Sequence, residues 1–269
     1  METPAKKDKP KVSRRKRLFR FLLRAFAIIA LALLVYFPGR QAPIAFTLAT
    51  GIGVDSLQDR IDMLEEKAIA KKSFSDDEKR FLKNLYSCFA KGGRLIVVTR
   101  QSADLMERYL SGSGEDLKTS SRIFCESQLV KQQINIIRQE IIDTGGQQKS
   151  FRSDTFYMGD PEFFDSYVGL YDGHVQAVVE QVNANSIVVT WRAECPWEWP
   201  SYDAVYEQYG RYHARTFPLP NARSLLFGKQ FSLKMDDGLG GQLVDLGLAE
   251  PFLAYSEWPE DIELPNPDQ

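Results

Sequence analysis

The stretch VQAVVEQV (175–182), NANS (183–186), IVVTWRAE (187–194) decides the fold class. Two runs rich in β-branched residues flank four turn-forming residues, which is the signature of a β-hairpin. In the second run Ile187, Val189 and Trp191 alternate with Val188, Thr190 and Arg192. One register therefore places the first set, Trp191 included, on a buried face and the second where polar groups reach water. Downstream, Cys195-Pro196-Trp197-Glu198-Trp199-Pro200 is expected to leave the strand, with Trp197 and Trp199 partly exposed. Ser201 suits the N-cap of a short helix carrying Tyr202, Val205, Tyr206 and Tyr209 on one side. Phe231 to Met235 reads as a strand, Asp236-Asp237-Gly238 as a turn, and Leu239, Leu243 and Leu246 as a helical face. Phe252 to Trp258 reads as a last strand, and the acidic, proline-bearing 259–269 as a frayed tail.

Upstream of the hairpin the period changes from two to 3.6. Leu57, Ile61, Leu64 and Ala68 recur at helical spacing between Asp55 and Lys71. Ser75-Asp76-Asp77-Glu78 is a capping-box sequence that opens a helix bearing Phe81, Leu82, Leu85, Tyr86 and Phe89, expected to end at Gly92-Gly93. Leu95 to Val98 reads as a short buried strand and Ala103 to Leu110 as a short helix. Gln128 to Asp143 carries Leu129, Val130, Ile134, Ile137 and Ile141 inward, and the polar segment 145–154 reads as a linker. Helices and strands mix without regular βαβ alternation, so the expected class is α+β, with a mostly helical half (41–146) and a strand- and aromatic-rich half (147–258).

The first forty residues bear on location. Met1 to Arg24 holds ten basic and two acidic residues, a charge of +8, whereas the remaining 24 basic and 34 acidic residues give −10. The formal total of −2 thus conceals a basic tail and an acidic body. Ala25 to Phe37 is apolar and uncharged and stops at Pro38-Gly39-Arg40. Its thirteen residues make roughly 20 Å of helix, short of a bilayer core of about 30 Å. Extension back to Leu18 supplies the length, with Arg20 and Arg24 snorkelling on the basic side. The expectation is a cytoplasmic tail (1–17), a signal-anchor in membrane lipid (18–37) and an extracytoplasmic, periplasmic-type body on the inner (cytoplasmic) membrane. A cleaved signal and a buried soluble helix are the rival readings, and no small-x-small cleavage site closely follows Phe37. An acidic body repels phosphates, so nucleic acid is not an expected partner.

Chemistry-bearing motifs are few. Cys88, Cys125 and Cys195 match no zinc spacing; a Cys88–Cys125 disulfide and three thiols are the two readings. His174, His213 and Asp236 have no ligand spacing, and neither a G-x-S-x-G elbow nor a phosphate loop is present. Gly238-Leu239-Gly240-Gly241 reads as a tight strand-to-helix turn rather than a phosphate cradle. No metal or cofactor is expected. The one notable cluster is aromatic: Trp197, Trp199 and Trp258 are candidate binding residues, and Glu194, Glu198 and Glu257 beside them are candidate catalytic residues. Rings beside carboxylates suit a glycan cleft, and paired carboxylates suit glycoside hydrolysis, but rings flanked by prolines also pin a loop to a sheet. The leading expectation is a non-enzymatic, single-pass envelope protein whose acidic domain binds a partner protein or wall component, in the manner of an immunity or inhibitor protein, scaffold or receptor. The alternatives are a membrane-tethered carboxylate hydrolase acting on glycan or peptide, and a secreted effector that inserts into a target membrane. Convergence of the glutamates in an open cleft distinguishes the hydrolase from the binding module.

Overall fold

The computed structural model describes residues 35–37, 39–95, 100–159, 170, 172–209, 214–219 and 231–264. In chain order the elements are α1 (Gln41–Thr50), α2 (Val54–Ile69), α3 (Asp76–Leu95), α4 (Arg100–Ser111), β1 (Leu117–Lys118), α5 (Arg122–Cys125), α6 (Gln128–Asp143), β2 (Ser150–Arg152), β3 (Phe156–Tyr157), β4 (Asp172–Val182), β5 (Ser186–Trp197), α7 (Tyr202–Tyr209), β6 (Ala214–Leu219), β7 (Phe231–Asp236), α8 (Asp237–Asp245) and β8 (Phe252–Glu263). The architecture is mixed α+β. The main sheet runs β1-β8-β5-β4-β2, with β3 also on β4, and β6-β7 form a separate pair. Among the described residues, only the β1–β8 pair is parallel.

The hairpin forms where its turn residues place it, closed by the Asn183 N–H donating to the Ser186 carbonyl at 2.7 Å. Ile187, Val189, Trp191 and Ala193 are buried, while Val188, Thr190, Arg192 and Glu194 are only partly so. Two expectations at the strand ends are corrected. β5 continues through Pro196 to Trp197, and β8 continues past Trp258 to Glu263, so twelve consecutive positions pair, from Ser186↔Glu263 to Trp197↔Phe252. The segment from 259 to 263 is therefore sheet, not a frayed tail. Each proline sits where one neighbour has ended: Pro196 lies past the last β4 pair, His174↔Glu194, and Pro259 lies past the β1 pair at Tyr255. Proline is tolerated at such edges because no ladder donor is needed there.

Helix starts follow their caps. Ser75 N–H donates to Glu78 Oε2 at 2.6 Å and Glu78 N–H donates to Ser75 Oγ at 3.4 Å, closing the capping box. Lys67 Nζ, 2.7 Å from the same carboxylate, helps hold Glu78 down at about 2. α3 runs through Gly92-Gly93 to Leu95, although glycine costs a helix about 1 kcal/mol per residue. Leu95 thus ends a helix rather than starting a strand, and 96–98 lie outside the described residues. α6 starts at Ser127, whose hydroxyl accepts from Val130 N–H, and buries Val130, Ile134, Ile137 and Ile141; Leu129, expected inward, is exposed. The expected linker supplies β2, and its Phe151 is buried. One hydrophobic cluster joins Leu64, Leu82, Tyr109 and Ile141 to Trp191, Trp197 and Leu239.

The N-terminal end of the described chain is tied into this core. Phe37, expected as the outer end of a span, is only 3% exposed and packs in the cluster. Lys91 Nζ donates to Gln41 Oε1 at 2.7 Å, and Arg40 pairs with Asp77 at 2.7 Å. Of the expected span 18–37, only 35–37 are among the described residues, and among the described residues no helix is long and apolar enough to cross a membrane. Cys88 and Cys125 are separate thiols, not a disulfide; burial pushes the Cys88 thiol up to about 12.

Candidate functional site: a charged strip across the sheet

Alternation along five strands places one row of polar side chains on the open face of the main sheet. The row follows the register: Arg152↔Gln176 joins β2 to β4, His174↔Glu194 and Gln176↔Arg192 join β4 to β5, Arg192↔Glu257 and Glu194↔Tyr255 join β5 to β8, and Lys118↔Tyr255 joins β1. Arg192 occupies the middle. Its Nε lies 2.9 Å from Glu194 Oε2 and its Nη1 lies 2.8 Å from Glu257 Oε1. Its guanidinium also rests 4.3 Å from the centroid of the Tyr255 ring, a cation–π distance. Lys118 Nζ takes the other oxygen of Glu257 at 2.9 Å. Hydrogen bonds from Lys118 and Arg192 hold the Glu257 carboxyl below its ordinary range.

His174 stands at the other end, 3.1 Å through Nδ1 from Arg152 Nη2 and 2.6 Å through Nε2 from Glu194 Oε1. A guanidinium can only donate, so Nδ1 accepts and the ring proton sits on Nε2 facing Glu194. That contact has the length of an ion pair but not the alignment of a hydrogen bond, which leaves Nε2 unsatisfied by angle. Burial first, and then the Arg152 and Arg192 cations, push His174 below the usual imidazole range against the pull of Glu194. The ring is thus a neutral spacer between a cation and an anion.

The three candidate carboxylates do not share a cleft. Glu194 and Glu257 are brought together, but a guanidinium fills the space between them. Glu198 is exposed beyond the end of β5. A groove of about 340 Å3 lies elsewhere, lined by Phe74, Tyr202, Asp203 and Asp245, and contains none of the three.

The tryptophans lie on the other side of the sheet. Trp197, expected to be partly exposed, is 1% exposed. The cause is its place in β5: at an odd position it shares the core face with Trp191 and Cys195. It stacks with Phe252 at 5.7 Å and meets Tyr109 edge-on at 5.0 Å. Trp199 is half-buried, edge-on to Tyr86 at 5.3 Å. Trp258, opposite Trp191 in the ladder, is half-buried against the core. Trp191 is fully buried, as its alternation predicts, and its indole donates to Glu260 Oε2 at 2.7 Å, a carboxylate that Arg138 of α6 also grips.

The glycine run belongs to the same seam. It is the first part of α8 rather than a turn, capped by Asp236, whose Oδ1 accepts from Gly238 N–H at 2.8 Å. A Cβ on Gly240 would lie 1.6 Å from the Trp199 ring, and one on Gly241 would lie 2.3 Å from the Pro200 carbonyl. The run is small so that the Trp199-Pro200 backbone can lie on the helix, and no phosphate has room there. Beneath it, Glu65 of α2 accepts the Asp236 N–H at 2.7 Å. Burial, with the Asp236 and Asp62 carboxylates nearby, pushes Glu65 up to about 7. His213 lies outside the described residues, and among these no group of His, Cys, Asp and Glu side chains is placed to hold a metal.

Arg152, Arg192, Lys118 and Tyr255 were not singled out by sequence reasoning. The signal was present in Arg192-Ala193-Glu194 and in Tyr255-Ser256-Glu257, two i, i+2 pairs on one strand face, but their pairing needs the β5–β8 register. No protein-family model, curated protein or solved structure matches the chain.

Proposed function

We propose that the protein is a single-pass, membrane-anchored envelope protein whose acidic body binds a partner protein through the open face of the main sheet. The observation that carries this reading is the pairing of two of the three candidate carboxylates, Glu194 and Glu257, by one arginine. A carboxylate hydrolase needs one member protonated and facing substrate. Here Arg192 and Lys118 favour the anion at Glu257, and Arg192 occupies the space a substrate would need. An Arg–Tyr–Glu array held in place by its own ion pairs is instead a preorganised recognition surface, since arginine and tyrosine are the residues that anchor protein interfaces. Val178, 40% exposed on the same face, adds an apolar contact.

Anchoring draws support from the sequence of 18–37 and from Phe37. Cleavage anywhere after Phe37 would remove a buried ring from the core, and no small-x-small site closely follows Phe37. Topology is tested by fusing a periplasm-dependent reporter after Gln269, and retention by mass spectrometry of the mature N-terminus. A start between Gln41 and Thr50 would refute retention. For binding, a photo-crosslinking residue at Val178 in the full chain should capture a partner in intact envelopes, and one at Ile136, 51% exposed on α6, should not. Arg192→Ala should abolish capture while leaving the thermal transition within a few degrees. Equal capture from both positions would refute the assignment of this face.

A further inference from the structure

Two rows of side chains cross the open face of the main sheet, and they differ in charge. One row, in register from β2 to β8, is Arg152, Gln176, Arg192 and Glu257. The next, two residues along each strand, is Ser150, Val178, Thr190 and Pro259. This second row carries no charge, and its Ser150, Val178 and Pro259 are exposed. Same-face neighbours along a strand are about 7 Å apart, so one docked segment can touch both rows. Asp261 and Glu180 lie beyond the uncharged row, toward the hairpin turn.

The ions of the charged strip do not balance. Arg192 and Lys118 are matched by Glu194 and Glu257, which they grip directly. Arg152 is the exception. Among the described residues no carboxylate lies within ion-pair distance of it, and its partner is His174 Nδ1 at 3.1 Å. The ring is neutral, so this contact fixes the guanidinium without cancelling its charge. It also occupies only part of a fork with five N–H donors, on a side chain that is exposed. A single positive charge is thus left over at the β2 end of the strip, in a body whose 24 basic and 34 acidic residues leave it strongly negative.

We propose that the partner bound by this face is a protein that presents a carboxylate side chain to Arg152, beside an apolar side chain resting on Val178 and Pro259. The inference rests on the open-face reading above and names the partner's chemistry. An arginine fork suits a carboxylate because both oxygens can be held at once. The net negative body disfavours such a group, so the unmatched cation fixes where it docks. His174 holds the guanidinium in place before binding, which lowers the entropy lost on docking.

The test extends the Val178 photo-crosslink in the full chain in intact envelopes, with the captured protein and its crosslinked peptide identified by mass spectrometry. That peptide should contain Asp or Glu within about four residues of the crosslinked position, the reach of one helical turn. Arg152→Glu should reduce capture by about tenfold or more, because a like charge then faces the partner's carboxylate. Arg152→Lys, which keeps the charge, should retain most of it. Arg80→Glu makes the same change in net charge on α3, away from the sheet, and should leave capture unchanged. Reversing the partner's acidic residue to Lys should restore capture by the Arg152→Glu chain. If the reversed charge lowers the thermal transition, Arg152→Gln, which keeps a donor for His174, supplies the same reading. Unchanged capture with either variant, or a captured peptide with no acidic residue nearby, would overturn this inference and leave the open-face reading standing. A crosslink to glycan or lipid, or no capture at Val178, would overturn both.

Discussion

Trp191 and Arg192 are adjacent in sequence and lie on opposite faces of one strand, and the two faces are built on different physics. The core face carries Val189, Trp191, Cys195 and Trp197, all fully or almost fully buried, against α6 and the α4–α8 seam. Its contribution is apolar area removed from water together with close ring packing. The open face carries Arg192, Glu194 and Glu257, each between 14% and 34% exposed and each ion-paired. Solvent screens such pairs, and ordering the side chains costs entropy, so they add little to stability. The comparison teaches that a residue's chemical conspicuousness and its energetic role separate here: the rings hold the fold, and the plainer charged row is the surface left to act.

The sharpest way to break this comparison is to truncate the rings. Trp191→Ala and Trp197→Ala should each cost about 3–5 kcal/mol in denaturant unfolding, because both rings are fully enclosed. Trp191→Ala also strands the Arg138–Glu260 pair without its indole donor. A cost near 1 kcal/mol for Trp197→Ala would place that ring back among surface residues.

Next in size is the seam. Gly240→Ala gains helix propensity but drives a methyl into the Trp199 ring, so a net loss of about 1–3 kcal/mol is expected. The double variant Gly240→Ala, Trp199→Ala should be less destabilised than the sum of its parts. Strict additivity would mean that ring and glycine do not touch.

A pH dependence comes third. Glu65 binds its proton more tightly in the folded state, with a pKa near 7 against 4.5 unfolded. The folded chain therefore carries the extra proton between these values, and stability from this group is greatest below pH 4.5 and lost as pH rises to about 7. Discounted for partial solvent access, the loss is on the order of 1–2 kcal/mol. Glu65→Gln keeps an acceptor for the Asp236 N–H and should flatten the stability profile across that window in thermal unfolding measured at successive pH values.

The smallest effect belongs to the open face. Arg192→Ala should cost about 1 kcal/mol or less by chemical denaturation. A loss of several kcal/mol would mean that the strip is structural, and would remove the argument for recognition there.

Much of the fold was legible from one-dimensional pattern. The hairpin, the capping box at Ser75, the bounds of α6 and the burial of Trp191 follow from local periodicity and turn chemistry, which a single strand or helix satisfies by itself. The ends of β5 and β8 were not legible, because Pro196 and Pro259 read as breakers until the lengths of neighbouring strands are known. The candidate site divided in the same way. Glu194 and Glu257 stand out in sequence beside tryptophans, but the tryptophans face away, and the partners of the glutamates, Arg192 and Lys118, come from register between strands remote in sequence.

The sequence by itself determined the mixed class, the alternation that separates two faces of β5 and the basic tail, because each depends on the order of residues along the chain. Only the tertiary structure decided which rings are enclosed, that Gly238-Leu239-Gly240-Gly241 serves as a packing surface for Trp199 and Pro200, and that one arginine ties two strands' carboxylates together. Those outcomes depend on which distant segments meet, and pairing across a sheet is set by the summed fit of both faces rather than by any short stretch of chain.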